Sequence, residues 1–269
     1  MKPDLILIRG GGDLASGVAL RLHHAGFQIV IAELAQPLAV RRPVAFSEAV
    51  YTDIHKVEEV TARLVRPDGI AACLQAGEVP VLVDPEAAAL KLKPDRWSAV
   101  IDARMMKTPP APLPVKVPLY IGLGPGFNAG ENCDAVVETR RSHTLGRVYW
   151  EGQPQADSGL PEGDPRRVLR ASSAGVLWPR THIGEQVKAG QAVAEIQSRG
   201  ESRLVISPLA GILRGLIHDG VRVEKNMKIG DVDTRDDSAA CYLVSDKALA
   251  VGGGVLEAIL SFHREAQRD

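Results

Sequence analysis

The chain has 269 residues and a formal net charge of −1, and 4% of its residues are aromatic. This length suits one large domain or two ordinary ones. The balanced charge and the few aromatic side chains argue against a nucleic-acid-binding surface, and no apolar run is long enough to span a membrane. Three widely spaced cysteines form neither a disulfide framework nor a zinc motif, so we predict a cytoplasmic protein without a metal site.

The first apolar run leads into a glycine-rich loop, Arg9-Gly10-Gly11-Gly12-Asp13-Leu14-Ala15, which opens a helical pattern. Its spacing matches the G-x-G-x-x-[GA] turn, in which backbone N–H groups at a helix N-terminus approach a pyrophosphate. Glu33 ends the next apolar run, near the position of a ribose-binding acid. The predicted cofactor-binding residues here are Gly10, Gly12, Asp13, Ala15 and Glu33. A tight strand-to-helix turn without a ligand is the alternative.

Apolar runs alternate with helical patterns over the first half of the chain. This alternation predicts a parallel sheet with right-handed crossovers. The predicted strands are 4–8, 28–32, 79–83, 98–102 and 117–121, and the predicted helices are 14–25, 55–65, 67–76 and 85–91.

A second glycine loop, Gly122-Leu123-Gly124-Pro125-Gly126-Phe127-Asn128, follows the strand predicted at 117–121. It lies at the carboxyl end of a predicted parallel strand, where open α/β sheets bind ligands, and its amides are a candidate anion nest. We therefore predict ligand contacts from Gly122, Gly124, Gly126 and Asn128. A complex turn without a ligand is the alternative.

Charged side chains follow the strand predicted at 98–102. Asp102, Arg104 and Lys107 are predicted to grip a phosphate or orient a polar ring, with a local ion-pair network as the alternative. Cys133 is a weak candidate for contact with sulfur or selenium, provided that its pKa is lowered; packing is the alternative. No other nucleophile or general base is indicated, so catalysis stays an open question.

Short strands and glycine turns replace the alternation after about residue 140. The sequence pattern that begins at Ala174–Leu177 recurs from Ala210–Leu213 onward, and the two copies stay in register over two glycine turns. This repeat resembles biotinyl- and lipoyl-type barrel-sandwich hybrid domains, which carry a modified lysine on the hairpin between their halves. No lysine lies between Lys188 and Lys225. The repeat therefore predicts a structural or partner-binding domain rather than a swinging-arm carrier.

The last segment returns to a helical pattern that contains Gly252-Gly253-Gly254. Each glycine inside a helix lowers the stability of the helix by roughly 1 kcal/mol relative to alanine. Three glycines in a row therefore indicate a place where the helix backbone comes close to a ligand or to the first domain. We include Gly253 among the candidate ligand-binding residues. A break between two helices is the alternative. The predicted fold class is α/β: a Rossmann-like parallel-sheet domain (1–140), a β-rich, duplicated barrel-sandwich-hybrid-like domain (141–237), and a C-terminal helical segment (238–269) that packs back on the first domain.

Several strings together resemble one known family. They are RGGGDLASGVA, IDARMMK, GLGPGFNAGENCDAVVETRRSHTLGRVYWEG, GILRGLIHDGVRV, KIGDVDTR and SDKALAVGGGVLEAI. They resemble the YqeB-type proteins of the selenium-dependent molybdenum hydroxylase system, which are related through their Rossmann-like part to the XdhC/CoxI accessory factors. The resemblance implies a maturation factor that binds the molybdenum–pterin cofactor, holds it during sulfuration or selenium insertion, and hands it to a molybdenum hydroxylase apoenzyme.

Two other functions stay open. An NAD(P)-dependent oxidoreductase would use the same glycine loops, but the sequence shows no Tyr-x-x-x-Lys pair and no His–acid pair beside a plausible pocket. A non-catalytic scaffold would dock a partner enzyme through its β-rich domain and leave the first domain without a ligand. We expect no nucleic-acid or membrane partner, and a homo-oligomer is allowed.

Overall fold

The computed structural model describes residues 5–92, 94–157, 159, 163–198 and 200–266. Residue 4 of the first predicted strand, Arg199 of the hairpin between the repeats, and residues 267–269 lie outside this description. The chain divides into two compact units: Met1–Pro37, Ala45–Ser158 and Val244–Asp269 form the first, and Leu38–Val44 and Gly159–Leu243 form the second. Residues 141–158 thus fall in the first unit, where a short strand at 148–149 joins the sheet.

Among the described residues, the first unit contains a nine-stranded sheet in the order β3-β4-β5-β2-β1-β6-β7-β8-β9. Its strands are β1 (Leu5–Arg9), β2 (Gln28–Glu33), β3 (Ile54–Val57), β4 (Val60–Leu64), β5 (Val79–Val83), β6 (Trp97–Asp102), β7 (Tyr120–Leu123), β8 (Ala135–Val137) and β9 (Val148–Tyr149). The central strands β1 and β2 are buried almost throughout, which explains their continuous apolar runs.

The predicted Rossmann-like fold class is corrected by this sheet. The strands from β4 to β8 pair in parallel, but both edge pairs, β3–β4 and β8–β9, are antiparallel, so the sheet is mixed. Residues 55–64 of the segment predicted to be helical at 55–65 lie in the β3–β4 hairpin instead. The connections at 103–119 and 124–134, which are fully described, contain no helix. The regular alternation of strand and helix therefore stops after β6.

The described α-helices of the first unit, which also has short 3-10 turns, are α1 (Asp13–His24), α2 (Ala49–Thr52), α3 (Ile70–Gln75) and α4 (Asp246–Ala266). Helix α4 packs on α1 through glycines: a Cβ on Gly17 would lie 2.6 Å from the Cβ of Ala248, and one on Gly252 would lie 2.8 Å from the carbonyl oxygen of Gly17. Glycine here lets two helix backbones approach closely. None of the described helices is long and apolar enough to cross a membrane.

The second unit contains, among its described residues, two four-stranded antiparallel sheets with the orders β10-β17-β15-β12 and β14-β13-β11-β16. The strands are β10 (Val168–Arg170), β11 (Gly175–Pro179), β12 (Gln186–Val187), β13 (Ala192–Ser198), β14 (Glu201–Ile206), β15 (Gly211–Leu216), β16 (Arg222–Val223) and β17 (Lys228–Asp233). Each sheet takes strands from both repeats. The predicted barrel-sandwich class is also corrected: the described strands of this unit form two separate antiparallel sheets.

Candidate functional site

The strand order of the first unit changes direction between β1 and β6. From β1 the sheet grows through β2 to β5 and β4, and the chain then returns to the other side of β1 at β6. In open sheets of this kind, ligands bind in the crevice outside the carboxyl ends of the strands at such a switch point. Arg9 and Asp102, the last residues of β1 and β6, are register partners there.

A buried carboxylate lies at this switch point. Asp102 is fully buried and accepts hydrogen bonds from Arg104 Nε at 2.8 Å and Nη2 at 2.6 Å. Arg9 Nη1 lies 3.4 Å from its Oδ2, and the Tyr120 hydroxyl donates to the same oxygen at 3.1 Å. We call Arg9, Asp102, Arg104 and Tyr120 the switch-point cluster.

The switch-point cluster has more positive than negative charge, because two guanidinium groups share one carboxylate. The hydrogen bonds to Asp102 raise the pKa of Arg104, so this side chain stays cationic. Burial, and then the charge of Asp102, raise the pKa of Tyr120, so its hydroxyl stays a donor. Arg9 Nη2 donates to the carbonyl of Pro85 at 3.0 Å, while its buried Nε has no hydrogen-bond partner among the described residues. Such a cluster favours an anionic ligand.

The first glycine loop borders the cluster and has open space beside it. Gly10 has a φ of +88°, and a Cβ there would lie 3.4 Å from Cγ of Arg104. Gly12 is the N-cap of α1 and has no side chain to cap it, the Asp13 carboxylate accepts a hydrogen bond from Leu14 N–H at 2.9 Å, and no atom lies within 4 Å of a Cβ placed on Gly12. A ligand can therefore approach the loop at Gly12, where the helix N-terminus supplies positive potential.

The Glu33 side chain anchors the first glycine loop by a hydrogen bond to its backbone. Its Oε2 accepts a hydrogen bond from Gly11 N–H at 2.6 Å, and its Oε1 accepts one from Leu34 N–H at 2.7 Å. Burial raises the pKa of Glu33, and the two backbone hydrogen bonds partly offset this rise. The carboxylate thus has a partner in the loop itself, which the sequence pattern for a ribose-binding acid did not indicate.

The second glycine loop is packed rather than open. A Cβ on Gly122 would overlap the ring of Phe127, and one on Gly126 would overlap the carbonyl oxygen of Thr108. Gly126 N–H donates to the Met106 carbonyl at 2.8 Å, and Asn128 N–H donates to Asn132 Oδ1 at 2.8 Å. Two of the amides in the predicted anion nest therefore already have partners.

The segment 103–108 links the two loops. Met105 follows Arg104 and has a φ of +58°, a backbone conformation that a non-glycine residue rarely adopts and that is enriched at functional sites. A Cβ on Gly124 would lie 3.1 Å from the Cα of Met105. Lys107 instead lies at the surface, where its Nζ pairs with Asp157 Oδ2 at 2.6 Å.

Cys133 is buried beside the second loop, and its thiol is protonated at neutral pH. Burial raises its pKa to about 12, although hydrogen bonds from the Gly122 and Asn128 backbone act in the opposite direction. Thiolate chemistry required a lowered pKa, and this condition is not met. Among the described residues, no group of three or more His, Cys, Asp or Glu side chains is arranged to hold a metal ion.

Sequence reasoning missed Arg9 and Tyr120. A charged residue that ends a buried strand was a usable signal for Arg9, whereas only the pairing of β6 with β7 brings Tyr120 to Asp102. Gly253 lies on the exposed face of α4, with no atom within 4 Å of an added Cβ, while its neighbours Gly252 and Gly254 pack closely.

Comparison with known proteins places the chain beside one curated relative. No family model matches the chain. It is 44% identical over 272 aligned residues to "Uncharacterized protein YqeB" of Escherichia coli K12, which covers 97% of this chain and 49% of that protein. The chain thus spans about half the length of this relative. The predicted resemblance to YqeB is confirmed, and the relative's name states no activity.

Solved structures show weaker likenesses. A succinylglutamate desuccinylase/aspartoacylase from Rhodobacter sphaeroides matches with a TM-score of 0.30 and 12% identity, over 86% of this chain and 85% of that chain. An aspartoacylase-family protein from Mesorhizobium loti has a TM-score of 0.27 and 13% identity over the same shares. The Kluyveromyces lactis urea carboxylase has a TM-score of 0.24 and 21% identity, over 29% of this chain and 8% of that chain. TM-scores of this size assign no activity to the chain.

Proposed function

We propose that the first unit binds an anionic, phosphate-bearing small molecule at the switch point. We further propose that the chain is an accessory factor that holds a molybdenum–pterin cofactor and hands it to a molybdenum hydroxylase. The observation that carries the binding part is the buried Asp102 carboxylate, shared by Arg9 and Arg104 at the carboxyl ends of β1 and β6.

The charges and donors of the site support this ligand class. Arg104 is partly accessible, with 28% of its side chain exposed, so one edge of its planar guanidinium can reach a phosphate oxygen. The buried Arg9 adds a second positive charge beside Asp102, and this charge attracts a phosphate even though the charge of Glu86 also acts on Arg104. The space beside Gly12 admits the ligand next to the N-terminus of α1.

The molybdenum–pterin part of the proposal rests on the resemblance to YqeB-type proteins. The cofactor is cargo here, and the residues of this chain bind its phosphate, orient it and shield it from water. We assign no bond-making step, because the Cys133 thiol is protonated and buried beside the packed second loop. The hydroxylase partner is part of the proposal.

The identity of the ligand is tested by anaerobic purification of the chain, denaturation, and mass spectrometry of the released small molecules with pterin fluorescence alongside. A pterin is the expected result. A nicotinamide nucleotide without pterin would instead favour an oxidoreductase. A co-purifying hydroxylase subunit with no small molecule would favour a scaffold.

The location of the site is tested by a matched pair of variants. Arg104→Gln removes a charged donor from the cluster and is expected to lower the retained ligand about tenfold or more. Arg140→Gln removes the same charge from an exposed side chain of the same unit and is expected to leave retention unchanged. Thermal unfolding verifies that both variants fold. Full retention by a folded Arg104→Gln variant would refute this location.

A further inference from the structure

An apolar cleft of about 570 Å³ lies at the carboxyl ends of β4 and β5, outside the switch-point cluster. Leu64, Val65, Val83, Ala88 and Leu92 are among the residues that form its walls. This volume is within the range of small-molecule sites, which combine apolar walls with a few polar groups. Of the described residues that line the cleft, the charged ones are Arg66 and Asp84.

The walls of the apolar cleft leave large hydrophobic side chains in water. Val83 is 48% exposed and Leu92 is 57% exposed, and both line the same cavity. Arg66 is also exposed, and a guanidinium plane can stack on an aromatic ring. A flat heterocyclic ring would cover these apolar surfaces and meet the guanidinium. A simple phosphate would gain nothing from them.

The segment after β5 connects the apolar cleft to the switch-point cluster. Asp84 lines the cleft, the carbonyl of the next residue, Pro85, accepts a hydrogen bond from Arg9, and the charge of Glu86 acts on Arg104. The Asp84 carboxylate accepts hydrogen bonds from the N–H groups of Ala88 and Ala89, both at 2.8 Å. These bonds hold the shared wall in place.

The distance between the two places suits one extended ligand. Three strand spacings separate the β4–β5 gap from the β1–β6 gap in the sheet order. At about 4.8 Å per spacing, this is about 14 Å along the edge of the sheet. A ring joined to a diphosphate through a ribose has a reach of this order.

We propose that the apolar cleft takes the planar base of a nucleotide-bearing ligand whose diphosphate lies at the switch-point cluster. This inference rests on the proposed function and deepens it. The ligand class is then a nucleoside diphosphate or a dinucleotide, rather than a compound with a lone phosphate.

The test is titration calorimetry of the full chain with three probes: inorganic pyrophosphate, cytidine 5′-diphosphate and adenosine 5′-diphosphate. We expect at least one nucleoside diphosphate to bind about tenfold or more tightly than pyrophosphate. Ala88→Phe fills the cleft and is expected to abolish this difference while pyrophosphate binding stays unchanged. Ala72→Phe, on the exposed face of α3, is the matched control and is expected to change neither.

A second variant tests the same cleft in case Ala88→Phe does not fold. Leu92→Ser removes apolar wall at a well-exposed position and is expected to lower nucleoside diphosphate affinity several-fold without affecting pyrophosphate. Equal binding of all three probes, or a base-dependent gain that survives both cleft variants, would overturn the inference and leave the anion site standing. No binding of any probe would overturn the anion site and the inference together.

Discussion

The two glycine loops of the first unit lie at the same edge of the sheet but use glycine for different purposes. A side chain added at Gly12 meets no atom within 4 Å, whereas one added at Gly122 overlaps the ring of Phe127. The first loop leaves room beside Gly12, although a Cβ on Gly11 would lie 2.9 Å from the Ser47 nitrogen. The second loop lacks side chains at Gly122 and Gly126 so that the chain can pack on itself. A glycine-rich string therefore identifies a ligand loop only when the neighbours of the missing Cβ atoms are known.

The switch-point cluster lies between these loops and is tied to both. Arg104 lies beside the first loop, where a Cβ added to Gly10 would be 3.4 Å from Cγ of Arg104. Met105, the next residue, lies beside the second loop, where a Cβ added to Gly124 would be 3.1 Å from the Cα of Met105. A rigid second loop can thus position the arginine that faces the open first loop. Substitutions in the second loop should change stability, and substitutions in the first should change binding.

Two substitutions share the largest expected effect, and the first is Gly122→Ala. The new methyl group overlaps Phe127, a fully buried side chain, and overpacking of this kind costs about 3 kcal/mol of unfolding free energy. Urea unfolding measures the change. A midpoint equal to that of the unsubstituted chain would mean that Phe127 moves aside freely, and the contrast between the loops would disappear.

Asp102→Asn should also destabilise the fold, by about 3 kcal/mol, because it leaves Arg9 and Arg104 without their buried counter-charge. The matched control is Asp157→Asn, which breaks the surface pair with Lys107 and should cost less than about 1 kcal/mol. Both values come from denaturant unfolding. Equal losses in the two variants would show that the cluster is no more than a surface ion pair.

Glu33→Gln is expected to cost about 2 kcal/mol, since a carboxamide has one acceptor oxygen for the two N–H groups of Gly11 and Leu34. Burial raises the folded-state pKa of Glu33 above its unfolded value of 4.5. The folded state therefore binds the proton more tightly, and the stability that Glu33 contributes falls as the pH rises from 4.5 through the folded pKa.

Glu33→Gln has no side chain that titrates at this position. The difference in unfolding free energy between the unsubstituted chain and this variant should therefore be largest at acid pH and should shrink above pH 4.5. Unfolding in urea at several pH values from about 4 to about 8 follows the difference. A deficit that stays constant across this range would contradict the assignment of burial as the main influence on Glu33.

The smallest effect on stability is expected for Gly12→Ala. Its φ of −67° suits any residue and the added methyl group meets open space, so the cost is about 0.5 kcal/mol, from the poorer N-cap. Ligand retention should nevertheless fall, because the methyl group occupies the approach to the loop. If ligand retention is unchanged, the ligand does not contact the first loop, and Arg9 and Arg104 remain its proposed binding residues.

The central strands of the first unit were predictable from sequence. Strands β1, β2, β5 and β6 appear within a residue or two of their predicted positions, because strands covered on both faces read as continuous apolar runs. The β3–β4 hairpin was not predictable from sequence. Its buried residues Val57, Val60 and Ala62 have a spacing that also resembles part of a helical pattern. Its partner β5, far along the chain, makes residues 60–64 a strand.

The candidate site was predictable in part. Asp102 and Arg104 followed from their place at the end of an apolar strand. Arg9 and Tyr120 join them only because β6 pairs with β1 on one side and with β7 on the other. Such pairing connects residues that are distant in the chain, and no local pattern reports it.

The sequence by itself determined where the buried central strands lie, which segments are rich in glycine, and the resemblance to YqeB. The tertiary structure decided that the large sheet is mixed, that the second glycine loop is packed, and that two arginines share one buried carboxylate. The physical reason is the range of the interactions involved. Burial and backbone preference act on neighbouring residues and leave periodic patterns, whereas packing space and charge pairing depend on side chains that only the folded sheet brings together.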